Sequence, residues 1–507
     1  MKKLTVIIAA IMLSIPLPLS CKSAKKAYGQ YMKGLPFEMQ APKLPSIPLR
    51  SVSVKDFGGV GDGVTLNTEA FAKAMGQLSA KGGGHLVVPA GIWRTGPIEI
   101  KSNIDLHVER GAVIVFDPSR ELYPVIRTSF EGLETRRCES PLYARDAHDI
   151  SITGGGVIDG SGHDWRAVKK SKMNSAQWKA KLASGGVLSG DGMTWYPDEG
   201  FILAEKTADM NVPDASLPDE LIKSFLRPVM VSLRGCENVL LKDCVFQNSP
   251  AWNIHPLLCK GVIIDGITVR NPEYSQNGDG IDIDSCTDVL LVNSSFDCGD
   301  DGICLKSGKD EDGRRRGVPC SRIVIDGCTV FHGHGGFVVG SEMSGGVKDI
   351  KVSNCRFLGT DVGLRFKSKR GRGGVVSGIW INDIRMTDIA TECLLFDLFY
   401  GGKSATEARE DGTAGVDEPA FPVDETTPAF MDIHISNVTC SGADRAMYFN
   451  GLPEMPVKGI SVSDCTISSR RGIGIRYSED VSLRNVSIDA AGGEPVTTYK
   501  VTNISIE

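Results

Sequence analysis

The sequence predicts an all-β fold, a right-handed parallel β-helix with one turn of coil per repeat. Three observations carry this. Branched aliphatics open nine copies of one unit, at Val239, Val262, Val289, Ile323, Ile350, Ile379, Ile433, Ile460 and Val481. Two residues after each start stands another branched aliphatic, from Leu241 through to Leu483. Four residues after each start stands Asp, Asn or Gly: Asp243, Gly266, Asn293, Gly327, Asn354, Asp383, Asn437, Asp464 and Asn485. These types tolerate left-handed backbone. Each copy therefore reads as an alternating strand, a sharp bend and a second short strand.

Most starts lie 21 to 34 residues apart, one supersecondary unit per repeat. No copy buries its apolar face alone, but a stack makes a continuous core. The Leu/Asn signature of leucine-rich repeats is missing, and a propeller blade needs about four strands. Ile150 to Val157 reads as an earlier, weaker copy.

From the N-terminus, residues 1–20 read as a signal peptide, with Lys2 and Lys3 before an apolar run broken by two prolines. Ser20-Cys21 resembles a bacterial lipoprotein cleavage site, which makes Cys21 a lipidation site. Residues 22–48 are polar and Pro-rich and read as a linker. The expected address is therefore outside the cytoplasm, as a periplasmic or cell-envelope lipoprotein. Residues 49–507 form one catalytic domain. Lys55 to Gly63 is a Gly-rich start. A helix follows, capped by Asn67 or Thr68, with Phe71, Ala74, Met75 and Leu78 at helical spacing and Gly82 to Gly84 at its end. Its single apolar stripe predicts a lid on the open end of the coil.

Two stretches break the repeat. Residues 160–226 carry Trp165, Trp178 and Trp195 among lysines, with a short helix near 173–183. Residues 400–428 are acidic. Insertions between rungs become surface loops and commonly wall a groove. The 14 cysteines do not read as a disulfide framework. Cys244, Cys328, Cys355 and Cys465 share one repeat position with small apolar residues, so they read as buried free thiols. The net charge of −6 leaves no basic field for nucleic acid.

Chemistry concentrates on one face. Asp279 stands two residues before Ile281; Asp300 and Asp301 stand three and two before Ile303. If these strands stack, three carboxylates meet. His334 stands three before Phe337, as Asp300 stands before Ile303. Arg365 and Lys367 point the same way from the next strand, and Lys306 should align with Lys367. His255 points the same way as Asp282. At about 4.8 Å per rung the set spans roughly 15 Å, the size of a sugar or two. Crowded carboxylates split their pKa values and can supply an acid and a base. A carboxyl pair across a glycosidic bond is the usual tool of glycoside hydrolysis. Arg365 and Lys367 imply an anionic substrate, such as a uronic-acid polymer.

Asn277-Gly278-Asp279, Gly299-Asp300-Asp301, Gly333-His334-Gly335 and Arg365-Phe366-Lys367 resemble, in order, the four signature motifs of the polygalacturonases, glycoside hydrolase family 28. The resemblance runs from about residue 50 to the end. It implies a pectin-lyase-like solenoid and inverting hydrolysis of α-1,4-linked galacturonate in pectin, without metal or other cofactor. It makes Asp300 the general acid, Asp279 and Asp301 the holders of the nucleophilic water, and His334 the supporter of the acid's ionisation or a substrate contact. Arg365 and Lys367, with Lys306, Asn277 and His255, become candidate substrate contacts. Gly278 replaces a common Thr and Phe366 a common Ile. The stretches after His334 and Arg365 look like bacterial, end-acting members, with cleavage from the non-reducing end. A monomer is expected, with the polysaccharide as its partner and the membrane reached only through the lipid.

Other readings stay open at this point. A rhamnogalacturonan hydrolase would share the family. A calcium-dependent pectate lyase would share the fold and give unsaturated product. A non-catalytic polysaccharide binder would need stacked aromatics, yet aromatics are only 7%.

Overall fold

The repeat positions fall into register in three dimensions. The computed structural model describes residues 27–207, 217–404, 407, 418–492 and 494–507. Val239 pairs with Val262, Val262 with Val289, Val289 with Ile323, and so on to Ile433 with Ile460, always parallel. Among the described residues the stack joins 29 strands into one right-handed parallel β-helix. The weak copy belongs to it, since Ile150 pairs with Val239.

The bend column explains how the coil turns. All nine Asp, Asn and Gly positions have φ between 51° and 67°. Such backbone is costly for most side chains, but Asn and Asp offset it with local hydrogen bonds. Inside the coil, one apolar core runs continuously from Val54 to Leu483. Thirteen cysteines are buried and free among the described residues. Several stack on successive rungs, as Cys236, Cys259 and Cys286 do.

The helix Thr68–Ala80 closes the N-terminal end and buries Ala70, Phe71, Ala74, Met75 and Leu78. Its cap differs from expectation. Asn67 holds the cap position, but its side chain bonds Val60, Thr65 and Arg94 instead. Thr68 Oγ1 accepts from the Gly96 amide at 2.7 Å. Both side chains tie the helix to the coil rather than to its own amides.

Residues 1–26 lie outside the described residues, and with them the expected leader and Cys21. The expected linker is corrected from residue 28 onward: it docks instead of dangling. Tyr28, Tyr31, Met32, Leu35 and Phe37 pack on an outward apolar stripe of Leu240, Ile263, Leu290 and Val324. Tyr28 donates to Asp265 at 3.0 Å. The proline-rich composition hid eight apolar side chains whose burial outweighs the entropy of docking.

The described residues of the 160–226 insertion sit outside the coil with a small antiparallel sheet and the helix Ser175–Ala183, capped by Asn174. Trp165, Trp178 and Trp195 are all buried, so they pack the insertion rather than offer rings to sugars. No helix among the described residues is long and apolar enough to cross a membrane.

Candidate active site

The strands Ile281–Asp284, Asp301–Lys306, Gly335–Gly340 and Leu364–Lys367 lie on consecutive rungs. Ile281 pairs with Ile303, Ile303 with Phe337, and Phe337 with Leu364. This register brings the aspartates together. Asp279, Asp300 and Asp301 each offer a carboxylate oxygen, and these oxygens lie within 4.8 Å of one another. Gly278 is explained locally: a Cβ there would stand 1.9 Å from Ser275 Oγ. The space a threonine would need is taken by that hydroxyl.

The three carboxyls are not equivalent. Burial pushes Asp300 up, and the charge of Asp301 pushes it further; Lys367, His334 and Lys306 only moderate this. Burial would raise Asp301 too. There, Lys367, Arg365 and Lys306 win and hold it well below the usual carboxylate range. Lys367 Nζ donates to Asp301 Oδ2 at 2.7 Å, and Arg365 Nη1 to Oδ1 at 3.3 Å. Asp279 is pushed far up, first by burial and then by Asp282 and Asp300. The cluster thus contains a stably ionised carboxylate beside two that favour the protonated form.

His334 lies beside Asp300 in register. Its Nδ1 pairs with Asp361 Oδ2 at 2.5 Å, and that bond raises the imidazole pKa against burial. Arg365 and Lys367 line the face as expected. Both are already paired with Asp301, and the buried Arg365 Nε has no hydrogen-bond partner among the described residues. The Tyr400 ring stands 5.8 Å from the Arg365 guanidinium and 5.0 Å from Lys367 Nζ.

Three expected substrate contacts are placed otherwise. Lys306 is buried and spent on acids, with Glu342 at 2.9 Å and Asp282 at 3.5 Å. His255 is 1% exposed, below the groove floor, with Asp284 at 3.4 Å and Trp252 edge-on at 5.1 Å. Asn277 is committed to the wall: it donates to Glu131 at 3.1 Å and accepts from Arg227 at 3.2 Å. Strand parity gave the direction of these side chains but not the acids waiting for them. Two arginines of the run Arg314–Arg316 are tied down, while Arg315 stays 69% exposed. Arg316 reaches Asp284 at 3.4 Å, and Arg314 bonds the Gly371 and Arg372 carbonyls.

Four residues were missed. Asp361 had a signal, since it stands three before Leu364 just as His334 stands before Phe337. Glu342 and Tyr400 lie in loops outside the repeat and had none. Asn271 braces the Asp279 turn. Its Oδ1 accepts from the Ser249 amide and hydroxyl and from Asn253, and its Nδ2 donates to the Gly278 and Asp279 carbonyls at 3.0 and 3.3 Å. Asn271→Leu is expected to lower kcat about 10- to 100-fold with little change in KM, because the Asp279 carboxyl loses its fixed position. Steady-state kinetics at constant pH checks this; an unchanged kcat would refute it.

Three clustered carboxylates invite a calcium reading. The surroundings argue against it. Lys306, Arg365 and Lys367 already neutralise the cluster, and both Asp301 oxygens accept from cations. A divalent ion would face two buried positive charges and a third that is partly buried. The donor set does not fit a calcium site, and no step is assigned to a metal.

Residues 169–471, more than half of the chain, match the family model of Glycosyl hydrolases family 28. Over 449 residues the chain is 29% identical to a probable polygalacturonase of Vitis vinifera, covering 87% of this chain and 78% of the relative. Over 471 residues it is 27% identical to an exo-poly-alpha-D-galacturonosidase of Dickeya chrysanthemi, covering 90% and 74%. Among solved structures it resembles a hyperthermoactive exopolygalacturonase from Thermotoga maritima. That match is 31% identical with TM-score 0.71, over 93% of this chain and 97% of the other. The polygalacturonase of Erwinia carotovora ssp. carotovora, 19% identical with TM-score 0.57, shares the fold over 93% of this chain and all of its own.

Proposed function

The chain belongs to glycosyl hydrolases family 28, and from that premise we propose that it hydrolyses α-1,4-linked galacturonate in pectic polymers from the non-reducing end. The observation that carries this reading is the divided protonation of the acid cluster. Asp300, kept protonated, donates to the glycosidic oxygen as the bond breaks. Asp301, kept ionised by Lys367 and Arg365, takes a proton from the attacking water. Asp279 holds that water with it. Two oxygens up to 4.8 Å apart lie within reach of one water at about 2.8 Å each. His334, whose pKa Asp361 raises, stabilises Asp300 once it has given up its proton. Arg365, whose side chain keeps 18% exposure while Nη1 holds Asp301, offers the outer part of its guanidinium to the substrate carboxylate.

End-on cleavage has its own support. The hairpin Val125–Phe130 and Leu133–Cys138 seats on the side of the earlier rungs, with Phe130 stacked on Trp252 at 5.5 Å and Glu131 on Asn277. Gly132 accepts at 3.0 Å from the amide of Lys309, in the loop after the strand Asp301–Lys306. A chain extending past the cleaved sugar on that side meets this wall. The names of the Dickeya and Thermotoga relatives agree with an end-acting enzyme.

Product analysis on polygalacturonate and on rhamnogalacturonan tests the reading. Galacturonate monomer from the first polymer alone is expected. Activity confined to rhamnogalacturonan would overturn the role of Arg365, and unsaturated ends would overturn hydrolysis. Stereochemistry gives an independent check. Carboxyls of a retaining pair lie about 5–5.5 Å apart and those of an inverting pair about 6.5–9.5 Å. By spacing alone this cluster resembles a retaining pair. A water bridged by Asp279 and Asp301 makes inversion possible at the shorter distance. Proton NMR during early turnover is expected to show the β-anomer first. An α-anomer first would mean a carboxylate attacks the sugar directly. Export and lipidation at Cys21 complete the proposal, supported by the leader sequence and tested by the mass of the mature N-terminus.

A further inference from the structure

We propose that Arg445 and Arg471 form a distal uronate-binding subsite that grips the polymer several sugars beyond the cleaved bond. This rests on the reading of the substrate as an acidic polysaccharide.

The placement follows from register. Val338 pairs with Arg365, Arg365 with Leu395, Leu395 with Tyr448, and Tyr448 with Gly474. Three residues before Tyr448 stands Arg445, paired with Glu392 on the rung before and with Arg471 on the rung after. Tracing the same column back through Val362 and Gly335 leads to Asp301. Arg445 therefore lies in the column of the ionised catalytic carboxylate, four rungs further on, at roughly 19 Å. It lies two rungs, about 10 Å, past Arg365. A chain lying along the coil axis over Asp301 and Arg365 continues over Arg445 and Arg471.

The side chains are prepared for an anion. Arg445 is partly buried, with its guanidinium 4.6 Å from the Tyr448 ring centre. Arg476 anchors that ring from beside it, donating to the Tyr448 hydroxyl at 2.8 Å. Arg445 itself has no hydrogen bond or ion pair among the described residues. Glu392, its neighbour in register, does not come within ion-pair distance of it. Arg470 and Arg471 share the single carboxylate of Asp444, so this pair also carries surplus positive charge. Gly474 leaves the floor beside Arg445 low: a Cβ there would stand 3.0 Å from the Tyr448 ring. A basic cluster on a chain of net charge −6 runs against the average field. A stacked arginine with free donors loses little freedom when it takes a carboxylate. A polyuronate offers a carboxylate on every sugar.

The experiment compares wild type with the double variant Arg445→Gln, Arg471→Gln on trigalacturonate and on polygalacturonate. The expected result is a loss of about 5- to 20-fold in kcat/KM on the polymer, with trimer turnover within about twofold of wild type. The salt dependence of KM for the polymer should also flatten. Equal loss on both substrates, or loss on neither, overturns the subsite. Binding of a long oligogalacturonate to Asp300→Asn, with and without the two substitutions, gives a readout independent of turnover. Weaker binding in the triple variant supports the proposal, and unchanged binding refutes it. Failure of wild type to turn over either substrate would overturn the functional reading instead, and the binding comparison would still decide the subsite. Thermal melting of each variant confirms that the coil is intact.

Discussion

Asp301→Asn is expected to lower kcat by about 10³- to 10⁴-fold with little change in KM. The substitution keeps the size of the side chain and removes the base. Asp301 is the member of the cluster that stays ionised, because Lys367, Arg365 and Lys306 outweigh the cost of burying it. An amide in its place cannot take the proton of water. Asp300→Asn removes the acid instead, and a loss of similar size is expected. The two variants separate in pH dependence. The active form has Asp300 protonated and Asp301 ionised. Activity therefore falls on the alkaline side as Asp300 loses its proton, above the ordinary carboxyl value of 3.8. It falls on the acid side as Asp301 gains one, below that value. His334 lowers the Asp300 pKa, so His334→Ala should move the alkaline limb to higher pH while reducing kcat. A pH–rate profile of kcat/KM checks both statements. An Asp301→Asn enzyme with near wild-type kcat would give the base to Asp279. An unmoved alkaline limb in His334→Ala would place that limb on another group.

Much of this was legible in the sequence, for a physical reason. A solenoid repeats its environment, so residues at equal repeat offsets share burial, backbone conformation and direction. The repeat offset alone assigns left-handed backbone to Asn293 and Gly327, and both have it. Asp279, Asp300, Asp301, His334, Arg365 and Lys367 could be gathered on one face for the same reason. What the repeat does not encode is what arrives from outside it. Glu342 follows the strand Gly335–Gly340 in a loop, and only the fold reveals that it meets Lys306. Tyr400 enters from an insertion. The docking of Tyr28 depends on outward side chains such as Ile263 and Leu290, which break the apolar-in, polar-out pattern. Those outward aliphatics were visible in the sequence. Their meaning was not, because nothing local says which segment covers them.

Lys306→Met is expected to destabilise the protein by about 3–5 kcal/mol near neutral pH, the usual cost of breaking a buried ion pair from one side. Methionine keeps the apolar stem that packs beside Trp252, where Lys306 Nζ lies 4.6 Å from the ring. The loss is therefore one of charge. Lys306 is the cation between Glu342 and Asp282, and neither Asp282 oxygen has a hydrogen-bond partner among the described residues. Burial would raise Glu342, but Lys306 and then Arg372 bring it down from 4.5 to about 2. A carboxyl lowered in this way stabilises the fold above its unfolded pKa and loses that contribution as pH falls through the folded one. The Glu342 contribution is thus full above about pH 4.5 and gone near pH 2. Lys306 behaves in the opposite sense. Its pKa is raised above 10.5, so its contribution is present below that value and is lost only in strong alkali. Asp282, raised by burial, already favours its neutral form and tolerates loss of the lysine better at low pH. The gap in stability between wild type and Lys306→Met should therefore be widest near neutrality and narrow as pH falls below about 4.5. Denaturant unfolding at a series of pH values measures it. A gap that stays constant with pH would mean that the lysine matters for packing alone. Lys306→Met should also let Asp300 and Asp301 rise together, since Lys306 lowers both. Both limbs of the activity profile are then expected to move to higher pH, which ties the stability of this buried network to the protonation on which turnover depends.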